Sequence, residues 1–153
     1  NSTTVLGFSF TGASIPPEAK TVSIQYFPNN APLVQPTLSQ SLTESLRDRF
    51  LTETSLGLVE QNGDLNFEGA ITNYVVTPVA IQGNETAAMN RLSITIRVKF
   101  VNNIDEKQNY EKTFSRFEDY LSSSDLSVVE EELINSINTQ LVDDVFNKAV
   151  INW

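Results

Sequence analysis

In the segment RLSITIRVKF, residues 91–100, every second residue is apolar, and Arg97 and Lys99 occupy two of the alternate positions. Period-2 alternation puts both cations on one face of a strand, away from the core. There, guanidinium and ammonium groups could hold a phosphate or carboxylate. Arg91 opens the segment, and Lys107, Lys112 and Arg116 follow it. Against them residues 91–116 set only Asp105, Glu106 and Glu111, a local net charge of +3. The rest of the chain, with 4 basic and 16 acidic side chains, carries −12 of the total −9. Two readings of the basic residues stand side by side. Cations on an exposed sheet face or edge prevent aggregation, or they form an anion site, with Arg91, Arg97, Lys99, Lys112 and Arg116 as its candidates. Lys112 and Arg116 belong to the next strand, where they either extend the stripe or fall on the opposite face.

Other chemistry is scarce. The 153 residues include no histidine and no cysteine, so the common nucleophile–base pairs, zinc sites and disulfides are excluded. Residues Gly7 to Gly12, GFSFTG, look like a nucleophile elbow, but G-x-S-x-G needs glycine where Thr11 stands, and no strand precedes it. Asp105 and Glu106 lack the ligand spacing of a calcium loop, and no phosphate-binding glycine pattern is present. Glu130, Glu131 and Glu132 suit the start of a helix, where the dipole favours negative charge. The sequence predicts a protein that is not an enzyme and that carries no cofactor or metal. A pI near 4.4 argues against nucleic-acid binding.

These residues must be positioned by a fold of about one domain. KTVSIQYF, 20–27, reads as a strand with Val22, Ile24 and Tyr26 on one face. TLSQSLTESLRDRFL, 37–51, places Leu38, Leu42, Leu46 and Phe50 four apart, one stripe of a helix, with Thr37 and Gln40 as a capping box. Glu44 with Arg47, and Arg49 with Glu53, fit pairs on that helix's surface. Asn62-Gly63 predicts a two-residue hairpin turn between SLGLVEQ and DLNFEGAITNYVV. The second arm changes phase between Ile71 and Tyr74, which predicts a bulge near Asn73, and Pro78 ends the ladder or marks an edge. Residues 110–120 form a further strand, with Tyr110 and Phe114 on one face and Phe117 on the other. The end, from Leu126, is a helix with a stripe through Leu133, Ile137, Leu141 and Val145, opened by a Ser127–Glu130 capping box. The order β-α-β-β-β-β-α predicts an α+β two-layer sandwich, two helices on one face of a four- to five-stranded mixed sheet.

The lead-in FTGASIPPEAKTV, the helix TLSQSLTESLRDRFL, the arm NGDLNFEGAITNY, the strand RLSITIRVKF and the acidic terminal helix together resemble the LptE family of lipopolysaccharide-assembly lipoproteins. The resemblance covers nearly the whole chain, as one domain over 1–153 with an extended lead-in over 1–19. It implies an outer-membrane lipoprotein facing the periplasm, anchored by an acylated cysteine shortly before Asn1. It further implies a place as plug and assembly partner of the LptD β-barrel, and binding of lipopolysaccharide during its transport. The lead-in would be an ordered tether packed by Phe8, Phe10 and Ile15. A stand-alone periplasmic carrier, holding an amphiphile between sheet and helices, is the alternative, and it requires a lined internal cavity.

Overall fold

The computed structural model describes residues 15–32, 37–79 and 88–150. Alternation in 92–100 does what the sequence predicts: Leu92, Ile94, Ile96, Val98 and Phe100 are buried on one face of a strand. That strand, β4 (Met89–Asn102), lies between β3 (Leu65–Val79) and β5 (Tyr110–Leu121), antiparallel to both. β1 (Thr21–Ile24) and β2 (Gly57–Val59) complete a mixed sheet in the order β2-β1-β3-β4-β5. Helices α1 (Leu38–Glu53) and α2 (Leu126–Val150) pack on its apolar face, giving the expected β-α-β-β-β-β-α sandwich.

The predicted stripe of α1 is fully inside: Leu38, Leu42, Leu46 and Phe50 are at most 2% exposed. Phe50 touches both neighbouring layers, with its ring centroid 5.1 Å from Phe67 on β3 and 4.9 Å from Phe146 on α2. The ring chain continues from Phe67 to Phe100 at 4.8 Å and from Phe100 to Tyr110 at 5.2 Å. Each such pair adds about 0.5–1.5 kcal/mol beyond area burial. Aromatic rings thus fill the space between sheet and helices.

Asn62-Gly63 does not make a hairpin. β2 and β3 both run parallel to β1 and lie on opposite sides of it. The five residues between them therefore cross over β1. Asn62 has φ 59°, as a tight turn requires, but Gly63 serves a different need. A Cβ there would lie 2.6 Å from the Ser23 nitrogen and 2.8 Å from the Val22 carbonyl carbon, so only glycine lets the chain pass this close. The crossing is fastened by the Gly63 N–H donating to Ser23 Oγ (3.0 Å) and the Asp64 N–H donating to Thr21 Oγ1 (2.9 Å). Asp64 Oδ2 in turn accepts from the Lys20 N–H (2.7 Å).

Local signals fared unevenly. The bulge is present, between Ile71 and Asn73, and Pro78 is the last but one residue of β3. β1 is shorter than predicted, and Tyr26 is 55% exposed. Neither capping box forms. Thr37 is helical and makes no side-chain cap, and Gln40 donates to Glu44 instead (3.1 Å). On α2 the cap is Asp125, whose Oδ1 accepts from the Ser127 N–H at 3.1 Å. Glu130 is thereby free to accept from the Tyr74 hydroxyl just past the bulge. Burial first, and then this carboxylate, push the Tyr74 phenol up, so it stays a neutral donor. The surface pairs of α1 are replaced by tertiary ones. Arg47 donates to the carbonyl of Ile24 (2.8 Å), and Arg49 pairs with Asp143 of α2. Ile15 packs against the core, while Phe8 and Phe10 lie outside the described residues.

Gly69 faces a second close approach, where an added Cβ would lie 2.0 Å from the Arg97 carbonyl oxygen and 2.9 Å from the Phe27 ring. At Gly57 the nearest atom would be the Lys20 oxygen, at an ordinary 3.8 Å. Overpacking typically costs about 1–3 kcal/mol. We expect Gly69→Ala to lose about 3 kcal/mol in urea unfolding, and Gly57→Ala to stay within about 0.5 kcal/mol of the parent.

Candidate anion-binding surfaces

The five candidate cations divide between two faces. In the β4–β5 ladder Arg91 pairs with Asp119, Arg97 with Thr113 and Lys99 with Glu111. These positions alternate with the buried ones and so point outward, on the face that no helix covers. Lys112 and Arg116 lie opposite Val98 and Ile94, whose side chains are buried, and so belong to the helix side. The stripe imagined from sequence therefore ends at β4. Lys107 sits apart, exposed in the 3-10 turn Glu106–Gln108.

On the outer face, charge is matched by register. Arg91 makes a bidentate bond to Asp119, at 2.8 and 3.1 Å, while its guanidinium stacks on the Phe117 ring 3.8 Å from the centroid. Arg97 donates to Glu111 at 2.9 Å. Lys99 stands in register between Glu68 on β3 and Glu111 on β5. Two of the three cations are thus paired, and Lys99 has acidic neighbours in register without an ion pair among the described residues. The hydrogen bond from Arg91 holds the Asp119 carboxyl below the usual carboxylate range and raises the guanidinium in return.

On the helix side, Lys112 and Arg116 form one wall of an open cleft of about 570 Å³, with Asp144, Asn147 and Lys148 of α2 opposite. Arg116 spans it, binding both oxygens of Asp144 at 2.8 Å, and this bond raises its guanidinium further. Lys112 and Lys148 form no ion pair among the described residues. Each lies near an aromatic ring instead, Lys112 at 5.6 Å from the centroid of Phe114 and Lys148 at 5.4 Å from that of Tyr110. Lys148 is not among the sequence candidates: it lies in the last turn of α2, where the helix dipole alone favours a cation. Only the packing of α2 on β5 reveals that it faces Lys112. Among the described residues no group of three or more acidic side chains could hold a metal ion, and no helix is long and apolar enough to cross a membrane.

The profile of one protein family, described as LptE: Lipopolysaccharide-assembly, matches residues 19–149. The chain belongs to this LptE family. It is thus a lipopolysaccharide-assembly lipoprotein of the outer membrane. Among curated proteins none matches it. Solved structures share the LptE member's fold at low identity. The rare lipoprotein B from Shewanella oneidensis is 14% identical over 84% of this chain and 92% of its own, with a TM-score of 0.59. A minor lipoprotein from Acinetobacter baumannii is also 14% identical, over 80% of this chain and 91% of its own, with a TM-score of 0.51.

The Arg91–Asp119 pair in this LptE chain gives a pH-dependent expectation. Because the folded carboxyl is held low, the pair's stabilisation is complete above the ordinary aspartate value of about 3.9 and fades as pH falls through the depressed value. Carboxyl NMR titration should therefore place the Asp119 midpoint below that value in the parent, and move it upward in Arg91→Gln.

Proposed function

We propose that this chain is the lipoprotein partner of an LptD-like β-barrel in the outer membrane. In this reading it is held on the periplasmic side by an acylated cysteine upstream of Asn1. It seats in the barrel, assists the barrel's assembly and contacts lipopolysaccharide during transport to the surface. No bond-making step is required of it. The observation that carries the reading is the family match, which spans the folded body from just before β1 to the end of α2. The filled interior supports it as well. A carrier would need room between sheet and helices, and that space holds Phe50, Phe67, Phe100 and Phe146, each at most 2% exposed.

Lipopolysaccharide phosphates are the anions that Arg91, Arg97, Lys99, Lys112 and Arg116 would meet. The three arginines are already paired, but exposed ion pairs are worth only about 0–1 kcal/mol, so exchanging a carboxylate for a phosphate is cheap. Lys99 and Lys112, with no ion pair among the described residues, need no exchange at all. The two faces make separable contributions, since Arg97 and Lys99 point outward while Lys112 and Arg116 line the cleft.

Two measurements test this reading. Affinity purification from a Gram-negative envelope should return a large β-barrel protein with the chain, and recovery without any barrel would contradict the plug. In direct titration, Arg97→Glu with Lys99→Glu should weaken lipopolysaccharide binding about tenfold at low salt, with unfolding midpoints unchanged. Binding that survives the double charge reversal would remove the outer face from the site.

A further inference from the structure

A sheet offers new contacts mainly at its edges, where backbone N–H and C=O groups lack partners. Among the described residues three edges are open, and they differ in how they are guarded. β2 is three residues long. Beyond Ile71, the free side of β3 is interrupted by the bulge and by Pro78. β5 is unlike either. It pairs with β4 through twelve consecutive residues with no register shift, and it contains neither proline nor glycine. Among the described residues, the backbone groups of Lys112 to Arg116 find no hydrogen-bond partner outside β4. These same five consecutive residues form the wall of the 570 Å³ cleft, so the strand's edge itself is accessible.

The guard on this edge is purely electrostatic. Lys112 and Arg116 rise from β5, Lys148 faces them from α2, and Asp144 neutralises only Arg116. Such a guard repels strands of like charge while favouring one that brings carboxylates to the helix side. On the opposite face, Phe117 is 48% exposed beside the edge and offers contact to an apolar side chain. We propose that the free edge of β5 is a docking site for an extended, acidic segment of a protein partner. The segment adds as an outer strand, with alternate carboxylates set against Lys112 and Lys148. Main-chain bonds would hold it, and the two lysines would select it. The inference stands independently of the barrel reading, since it rests on the edge and its charges alone.

The test uses the whole chain and a fluorescein-labelled peptide, Thr-Val-Glu-Val-Glu-Val-Thr, followed by anisotropy and by amide NMR. The peptide should bind saturably, slow exchange of the β5 amides between Lys112 and Arg116, and bind at least tenfold more weakly to Lys112→Glu with Lys148→Glu. The same peptide with alternate backbone nitrogens methylated keeps its charge but cannot complete a ladder, and it should fail to bind. Three results would overturn the proposal. The first is no binding of the parent peptide at millimolar concentration. The second is equal binding of the methylated peptide, which means charge attraction without strand addition. The third is slowing of the β5 amides by phosphatidylcholine vesicles doped with lipid A but not by the peptide, which makes the cleft a phosphate site.

Discussion

Everything in this fold hangs on the burial of Phe50. It is the last residue of the α1 stripe, it is fully buried, and its ring meets Phe67 of the sheet and Phe146 of the second helix. Sheet and helices therefore share one contact, and neither helix can lift from the sheet without opening it. Truncating such a ring typically costs about 3–5 kcal/mol, a large part of a domain's net stability. Polar ties then fix the helices in register around this centre. Arg47 and Thr43 hold α1 to the chain leaving β1, through the Ile24 carbonyl and the Phe27 N–H. Glu118 of β5 accepts from Ser136 and Gln140 of α2.

A solid centre moves function to the surface. The outer sheet face carries cations, but each stands beside a carboxylate, so its field is local and readily screened. The cleft between β5 and α2 keeps two ammonium groups without an ion-pair partner among the described residues, and the backbone edge beside them is open. The two surfaces thus suit different ligands. The outer face favours exchange of one anion for another, while the cleft combines charge with main-chain pairing.

Much of this was legible in the sequence where the signal was local. The four-residue spacing of Leu38, Leu42, Leu46 and Phe50 identified the buried face of α1. The alternation in 92–100 identified that of β4, and a phase change identified the bulge. Non-local facts were hidden. Asn62-Gly63 carries the turn chemistry of a hairpin, yet β1, forty residues earlier, inserts between the two arms; nothing in the dipeptide shows this. The capping box of α2 failed because Asp125, one residue before the helix, takes the cap and Glu130 is drawn to Tyr74, and that of α1 because Thr37 is itself helical and Gln40 turns to Glu44. The candidate cations could be named from the sequence, but not the faces they occupy. Setting the reversal of the β4–β5 hairpin at Asp105 would have paired Arg91 with Asp119 and turned Lys112 and Arg116 to the helix side. A one-residue slip in that register moves every side chain of β5 to the other face.

We propose that this member of the LptE family meets lipopolysaccharide with its surface and never admits it between the layers. Hydrogen exchange read by mass spectrometry, with and without saturating lipopolysaccharide, tests it most directly. The account predicts slower exchange along β4 and β5 and unchanged exchange in the buried turns of α1 and α2 around Phe50 and Phe146. Faster exchange in those helical turns on adding lipopolysaccharide, the mark of layers parting around an acyl chain, would contradict it.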